Sequence, residues 1–203
     1  MTATPATPSH RTATLQRNTR ETQIAITLDL DGTGAADIST GVPFLDHLLE
    51  LLAKHSLIDM TIHATGDLAV DDHHTVEDTG LALGDALAQA LGVRAGIERY
   101  GFSLLPMDET LARVAIDLGG RPYLVLNMAT RARYIKRFQL SLLHEFLRAF
   151  ATQGRLNLHA AQLYGADPHH AYEAIFKGLA RALRVAVARN PRVHGIPSSK
   201  GML

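Results

Sequence analysis

Two short stretches of the chain, DDHHTVEDTG at residues 71–80 and DPHHAYEAIF at residues 167–176, each contain the pattern His-His-x-x-Glu. Side chains four residues apart share one face of a helix, whereas neighbouring side chains point about 100° apart. The first histidine and the glutamate of each motif can therefore bind one metal ion together, and the second histidine points elsewhere. Each motif is therefore suited to bind two metal ions, or to bind one ion together with ligands from a second helix. The six candidate ligands are His73, His74, Glu77, His169, His170 and Glu173.

The chemistry of such a site is restricted by the absence of cysteine from the 203 residues. Disulfides and thiolate metal sites are excluded, so any ion must be held by imidazole and carboxylate groups, which favours Mn, Fe, Zn, Co or Ni. A single His-His pair is more often a surface feature, but its recurrence at matching positions favours metal binding. His47, in FLDHLLE, is well placed to complete one site, and an ion can bridge two copies of the chain as readily as two halves of one.

The two motifs lie 96 residues apart, and the patterns around them recur in the same order. The strand pattern TQIAITLDLDG precedes the helix pattern GVPFLDHLLELLAKH, the strand LIDMTIHATGD and the first motif. Strands within GFSLLPMDETLARVAIDLGGRPYLVLNMA, the helix LSLLHEFLRAFATQ, the strand RLNLHAAQLYG and the second motif repeat that order. The sequence therefore predicts an α+β fold of two similar halves, with helices packed on mostly antiparallel sheets. The predicted boundaries are a disordered tip at 1–10, half-repeats at 11–96 and 97–190 that form one compact domain, and a C-terminal tail at 191–203.

The charge balance and the apolar runs argue against two classes of partner. Twenty basic and twenty acidic residues cancel, which gives no overall attraction to nucleic acid or to a membrane surface. The polar start MTATPATPSHRTAT lacks the apolar core of a signal peptide, and no apolar run is long enough to span a bilayer. With the missing cysteines, this predicts a cytoplasmic protein. We interpret the basic cluster Arg131, Arg133, Lys136 and Arg137 as a solvated loop.

The C-terminal octapeptide IPSSKGML combines groups that suit a phosphate. Ser198 and Ser199 offer hydroxyls, Lys200 offers an ammonium group, and Gly201 gives the backbone freedom to approach an anion. Taken alone, the same stretch is at least as consistent with a frayed end.

These motifs together resemble a known family. The stretches FLDHLLELLAKH, GDLAVDDHHTVEDTGLALGDAL, RYGFSLLPMDETLARVAIDLGGRPYLV, LYGADPHHAYEAIFKGLARALR and PRVHGIPSSKGML are similar, in order and without a large gap, to those of imidazoleglycerol-phosphate dehydratases. The resemblance runs from about Arg11 to the last residue. It implies a manganese-dependent lyase of histidine biosynthesis that converts D-erythro-imidazole glycerol phosphate to imidazole acetol phosphate and water. It also implies two Mn²⁺ per active site, a substrate held as an imidazolate, and a homo-oligomeric 24-mer with metal sites between subunits.

The resemblance also implies roles for individual residues. Glu21, in RNTRET, matches a family glutamate close to the reacting carbons, so it is expected to be an acid/base and a substrate contact. Asp108, in PMDE, is a weaker candidate for the same proton transfer. The expected metal ligands are His47, His73, His74, Glu77, His169, His170 and Glu173. The expected phosphate-binding residues are Arg99, Arg121, Lys177, Ser199 and Lys200, which turns the C-terminal tail into an expected phosphate site.

Two positions depart from the family pattern. The family usually has a histidine ligand fourteen residues before the histidine of its LH strand; counting back from His159 gives Glu145, and the nearest histidine is His144. The two side chains point about 100° apart, so one of them is expected to bind, and the register favours Glu145. The family commonly has glutamine where this chain has Leu51, which predicts the loss of a polar substrate contact.

Two other functional classes compete with this interpretation. A histidine-rich shell assembled by metals, with a storage or scaffold function, would explain the duplication and the ligands but would not require Glu21 or the phosphate-binding residues. A di-metal hydrolase that activates water usually has more carboxylates, including bridging ones. The hydrolase would act on esters or amides, whereas the dehydratase needs an imidazole in its substrate.

Overall fold

The computed structural model describes residues 10–203 and contains two halves of similar construction. In each half, two long strands and a shorter third strand lead to a helix, a further strand and a long helix. The first half consists of β1 (Thr12–Asn18), β2 (Thr22–Asp29), β3 (Ala36–Ser39), α1 (Pro43–Ser56), β4 (Asp59–Gly66) and α2 (His73–Leu91). The second half consists of β5 (Tyr100–Met107), β6 (Thr110–Asp117), β7 (Tyr123–Asn127), β8 (Tyr134–Ile135), β9 (Phe138–Gln139), α3 (Ser141–Gln153), β10 (Asn157–Tyr164) and α4 (Pro168–Ala186).

Each half forms a sheet of the same topology. The strand orders are β1-β2-β4-β3 and β5-β6-β10-β7. In each sheet the first two pairings are antiparallel and the last one is parallel. The predicted α+β fold of two similar halves with mostly antiparallel sheets is therefore confirmed.

The hydrophobic patterns predicted for β2 and α1 agree with the structure. Ile24, Ile26 and Leu28 of β2 are buried, and the residues between them face solvent. Helix α1 begins at Pro43, as predicted, because proline lacks the N–H that the first helical position leaves unbonded. Strands β1 and β3 were not predicted, since these segments contain few apolar residues, and the β8–β9 hairpin was not predicted, since its strands have only two residues each.

Helix packing joins the two halves. Helix α2 lies on β1 and β2, α4 lies on β5 and β6, and across the halves α1 contacts α4 while α2 contacts α3. The approach of α2 to α3 requires glycine: a Cβ at Gly80 would lie 2.6 Å from the Phe146 carbonyl oxygen, and a Cβ at Gly84 2.5 Å from that of Phe150. Both phenylalanine side chains are buried, so the core is continuous across the halves. This pairing brings residues of α1 beside α4 and residues of α3 beside α2.

The halves differ in the chain between the third strand and the following helix. Strand β5 begins 88 residues after β1 with a matching burial pattern, whereas α3 begins 98 residues after α1. The extra residues of the second half include the β8–β9 hairpin. The shift of 96 that fits the two motifs therefore does not apply to the whole chain.

The ends of the chain complete the description. The tip predicted to be disordered, residues 1–10, lies outside the described residues except for His10, whose ring contacts the Asp29 carboxylate. The tail at 191–203 contains no helix or strand. Among residues 10–203, no helix has both the length and the apolar character needed to cross a membrane.

Candidate active site

The first cluster consists of His47 on α1 and of His169 and Glu173 on α4. The Nε2 atoms of the two histidines lie beside one carboxylate oxygen of Glu173, at 2.7 Å for His47 and 2.9 Å for His169. One potential ligand atom from each residue lies within 4.8 Å of the others. Imidazole nitrogen and carboxylate oxygen at this spacing fit a divalent transition-metal ion. The i, i+4 pair of the second motif thus gains its third member from the other half of the chain.

Glu173 is the buried centre of the first cluster, with 8% of its side chain exposed. Its second oxygen accepts a hydrogen bond from Lys177 at 2.5 Å. Burial acts to raise the pKa of Glu173, but the hydrogen bonds from Lys177, His47 and His169 outweigh it and lower this pKa to about 2. The carboxylate is therefore ionised at neutral pH, as a metal ligand must be.

The second cluster occupies the corresponding place between α2 and α3 and consists of His73, Glu77 and Glu145. Glu145 is the fifth residue of α3, as His47 is the fifth of α1. The His73 Nε2 lies 3.6 Å from a carboxylate oxygen of Glu77. Arg148 donates to Glu145 at 2.6 Å and to Glu77 at 3.1 Å, so its guanidinium group lies between the two carboxylates. The second cluster therefore has one imidazole and two carboxylates where the first has two imidazoles and one carboxylate.

His144 and Glu145 differ in their surroundings, as neighbours on a helix must. Half of the His144 side chain is exposed, against 29% for Glu145. Burial acts to raise the pKa of Glu145, but the hydrogen bond from Arg148 helps to hold it below its usual range. Glu145 shares Arg148 with Glu77, so it is the carboxylate that faces the first motif's helix.

The second histidine of the first motif is held by a carboxylate outside the cluster. The His74 Nδ1 lies 3.0 Å from Asp67, which immediately follows β4. Glu21, on the turn between β1 and β2, lies 3.8 Å from the same nitrogen and has 54% of its side chain exposed. The hydrogen bond with Asp67 raises the pKa of His74. Glu21, the expected acid/base, therefore lies near the expected ligand His74 without a hydrogen bond to it.

The second histidine of the second motif is held in a different way. The His170 Nδ1 lies 2.7 Å from Glu109, on the turn between β5 and β6, and this hydrogen bond raises the pKa of His170. Asp108, the weaker acid/base candidate, lies 3.7 Å from the His170 Nε2 and is three-quarters exposed. The contacts of Asp67 and Glu109 were not predicted from the sequence. Glu109 could have been identified from the duplication, because it lies 88 residues after Glu21, the same offset as between β1 and β5.

Arg99, an expected phosphate-binding residue, is engaged within the chain. Its Nε lies 2.7 Å from an oxygen of Asp117, and its Nη1 donates to the carbonyl of Pro197 at 2.7 Å. The hydrogen bond with Asp117 raises the pKa of Arg99. Its guanidinium group thus ties the end of β6 to the C-terminal tail.

The end of the tail lies against the turn that precedes Arg121. A Cβ on Gly120, whose φ is +78°, would lie 2.7 Å from the carbonyl carbon of Leu203. Arg121 itself is exposed and accepts a hydrogen bond at its carbonyl from Asn157. The structure thus gathers Arg99, the turn before Arg121 and the tail that carries Ser199 and Lys200.

Lys177 lies apart from that group. It precedes Ala186 by nine residues on α4, and the Ala186 carbonyl accepts the backbone N–H of Arg99 at 2.9 Å. At 1.5 Å per residue, about 14 Å of helix separates the two positions. Within one chain, Lys177 therefore lies beside the first cluster, and the other expected phosphate-binding residues lie with Arg99 near the far end of α4.

A cavity of about 490 Å³ opens beside the first cluster. Its wall combines aromatic rings and imidazoles with Lys136 and Arg137 of the β8–β9 hairpin; both are exposed and belong to the basic cluster that is predicted to be a solvated loop. In the first half, the short connection between β3 and α1 leaves no room for such a hairpin. The cavity is lined by Val42, Phe44, His47, Ile135, Lys136, Arg137, Phe138 and His169, among others.

Leu51 is the position where the loss of a polar substrate contact was expected. Its side chain packs against the hydrophobic core.

Comparison with known proteins agrees with the motifs. The family model described as imidazoleglycerol-phosphate dehydratase matches residues 40–183. The imidazoleglycerol-phosphate dehydratase of Methylorubrum extorquens is 55% identical over 194 residues, which cover 95% of this chain and 100% of that protein. The protein of the same name from Symbiobacterium thermophilum is 53% identical over 195 residues, covering 96% of this chain and 94% of its own. The crystal structure of imidazoleglycerol-phosphate dehydratase from Staphylococcus aureus has a TM-score of 0.80 at 38% identity and covers 88% of this chain and 99% of that one. The chain belongs to the imidazoleglycerol-phosphate dehydratase family, a family of lyases.

Proposed function

We propose that the protein dehydrates D-erythro-imidazole glycerol phosphate to imidazole acetol phosphate and water, as a cytoplasmic enzyme of histidine biosynthesis. The observation that carries the proposal is the first cluster, in which ligand atoms of His47, His169 and Glu173 lie within 4.8 Å of one another, in a duplicated fold of this family. An imidazole ring has two nitrogens, so a substrate that contains one suits two metal sites better than an ester or an amide does.

The clusters are proposed to hold two Mn²⁺ per active site. Bound ions of this kind supply Lewis acidity and a template for the ring, which can then be held as an imidazolate. The chain contributes nitrogen and oxygen ligands on two pairs of packed helices. We include Glu145 and leave out His144, because Glu145 faces Glu77 and His144 is half exposed. The proposed ligands are His47, His73, His74, Glu77, Glu145, His169, His170 and Glu173.

Glu21 is proposed to move the proton. The carbon that loses it is not acidic, so a carboxylate must be held beside that carbon to accept it. The Glu21 carboxylate is more than half exposed and lies 3.8 Å from His74, which is close to a proposed ligand and still accessible to substrate. Asp108 is the weaker candidate, near the Nε2 of His170.

The active site is proposed to form between subunits of a homo-oligomer. Lys177 donates to Glu173, one turn nearer the start of α4, whereas the Arg99 guanidinium group is held by Asp117 and the Pro197 carbonyl near the other end of that helix, so the two cations lie apart within one chain. A second copy of the chain can bring its own Arg99 and C-terminal tail to the first copy's ligands. A 24-mer with metal sites between subunits satisfies this requirement. The proposed phosphate-binding residues are Arg99, Arg121, Lys177, Ser199 and Lys200.

The test uses metal-stripped full-length protein with imidazole glycerol phosphate, with and without added Mn²⁺, and follows formation of the keto product. We expect product only with the metal. Glu21→Gln is expected to bind Mn²⁺ and to assemble like the unaltered protein but to lose turnover by roughly 10²–10⁴-fold, the usual contribution of a general acid/base. Unchanged turnover would remove Glu21 from the mechanism.

Two outcomes would replace the proposal. Protein that binds Mn²⁺ and assembles but forms no keto product would support the metal-assembled shell. Cleavage of simple esters or amides at the loaded site would support the hydrolase.

A further inference from the structure

The two halves carry a glutamate at the same position of the same turn. Glu21 immediately precedes Thr22, the first residue of β2, and Glu109 immediately precedes Thr110, the first residue of β6. Both threonines are buried, but the Thr22 hydroxyl donates to Asp78, whereas the Thr110 hydroxyl donates to Glu109 itself. Each glutamate lies near the second histidine of the motif in its own half.

The two glutamates make different contacts. The Glu109 carboxylate lies 2.7 Å from the His170 Nδ1 through one oxygen, and its other oxygen accepts the backbone N–H groups of Ala166 and Asp167 at 3.1 and 2.9 Å. The hydroxyl of Thr110 donates to that same oxygen at 2.9 Å. The Glu21 carboxylate has 54% exposure and no contact to a histidine closer than 3.8 Å. One glutamate is fixed on both oxygens, and the other is available.

The residue that follows the last strand pairing of each half explains the difference. Thr22 pairs with Gly66 in the first half, and Thr110, at the same position of the second half, lies against Gly165, where a Cβ would be 2.0 Å from the Thr110 Oγ1. The next residue is Asp67 in the first half, which holds the His74 Nδ1 at 3.0 Å, and Ala166 in the second half. Ala166 has no carboxylate, so Glu109 supplies the one that Asp67 supplies in the first half.

We infer that Glu109 is a positioning residue: it fixes the ring of His170 through Nδ1 so that Nε2 is presented to a metal ion. Asp67 does the same for His74, and it thereby leaves Glu21 free to act on substrate. A carboxylate on the second nitrogen of a ligating histidine fixes the tautomer and the orientation of the ring. The inference rests on the proposed function, since it takes both histidines as ligands.

The test measures Mn²⁺ binding to the assembled full-length protein by equilibrium dialysis. Glu109→Gln is expected to weaken binding at the affected site roughly 10–100-fold, the usual effect of losing such a partner. The amide oxygen of glutamine can still accept the two backbone N–H groups, so the variant should fold, with a lower midpoint of thermal unfolding because these bonds are no longer charge-assisted. Asp37→Asn is the matched control, because Asp37 pairs with His63 at 3.1 Å outside both clusters; its Mn²⁺ affinity should not change.

Turnover at saturating Mn²⁺ separates the two glutamates. Glu109→Gln should recover most of the turnover of the unaltered protein there, whereas Glu21→Gln should not. Equal Mn²⁺ affinity in Glu109→Gln and in the unaltered protein would overturn the inference and leave the proposed function intact. Failure of the unaltered protein to bind Mn²⁺ would instead overturn the proposed function itself. An Asp67→Asn variant is expected to weaken binding as Glu109→Gln does, and normal binding there would overturn the inference for His74.

Discussion

The first and second clusters occupy corresponding places in the two pairs of packed helices, yet they balance charge in opposite ways. In the first, one carboxylate lies between two imidazoles, and Lys177 neutralises its second oxygen. In the second, Glu145 stands where the first has His47, so two carboxylates face each other. Arg148 lies between them and donates to both.

The difference shows what replacing an imidazole by a carboxylate requires on a fixed backbone. Two ionised carboxylates repel each other, and a cation must be close to both. A divalent ion can take that role, but Arg148 has to leave its position first. The first cluster has no such competitor between its ligand atoms within residues 10–203, because Lys177 contacts the carboxylate oxygen that faces away from the histidines.

The largest expected effect comes from breaking the first cluster. Glu173→Gln replaces the carboxylate between His47, His169 and Lys177 by a neutral amide, which leaves Lys177 without its anionic partner. We expect Mn²⁺ affinity to fall by more than ~100-fold, the upper end for residues that only orient a ligand, and turnover to fall with it. Equilibrium dialysis and the keto-product assay measure both.

The control for this prediction is Glu98→Gln, which makes the same chemical change at an exposed carboxylate outside both clusters. It should bind Mn²⁺ normally. Normal binding by Glu173→Gln as well would remove the first cluster from the metal site.

The next effect distinguishes the two candidates on α3. Glu145→Ala should lose Mn²⁺ from the second cluster, because it deletes the carboxylate that faces Glu77, whereas His144→Ala should keep it, because that side chain is half exposed. Metal content of the two purified variants measures the difference. The reverse result would mean that α3 rotates when the metal binds, so that His144 replaces Glu145.

A smaller effect sharpens the contrast between the clusters. Arg148→Gln removes the cation that an ion must displace, so Mn²⁺ affinity at the second cluster should rise. Arg148 is 54% exposed, and exposed ion pairs contribute about 0.2–1 kcal/mol each, which for two pairs corresponds to a rise of at most about 30-fold. A Mn²⁺ titration measures it. Weaker binding in this variant would show that Arg148 organises the second cluster instead of competing for it.

The smallest effect concerns a contact that both halves repeat away from the clusters. Arg11 and Arg99 each pair with an aspartate near the end of the second strand of their half and donate to a carbonyl beyond α4. The hydrogen bond from Arg11 lowers the pKa of Asp31, so this pair stabilises the fold above the ordinary aspartate pKa and less as the pH falls below it. Arg11→Gln should therefore cost about 2 kcal/mol of unfolding free energy near neutral pH and less below about pH 4. Urea unfolding at both pH values measures this, and a pH-independent cost would show that the bond to Val187 dominates.

Local periodicity was enough to predict the fold class, the duplication and the start of α1 at Pro43. It also predicted that His169 and Glu173 share a helix face, because that depends on helix geometry alone. It could not predict which motif His47 joins, since that depends on the packing of α1 against α4 across the halves. The roles of Asp67, Glu109 and Arg148 were missed for the same reason: each acts on a residue from another element.

The close approach of α2 and α3 at Gly80 has a consequence for ion size. Glu77 lies three residues before Gly80, and Glu145 directly precedes Phe146, whose carbonyl oxygen lies against that glycine. Backbone contact leaves no compressible side chain between the helices, so the separation of the two carboxylates has little freedom to widen. Ions that need long bonds to oxygen, such as Ca²⁺ at about 2.3–2.6 Å, are disfavoured by such a frame relative to smaller ones. At the second of the proposed metal sites, Gly80 and Gly84 would thereby favour small divalent ions.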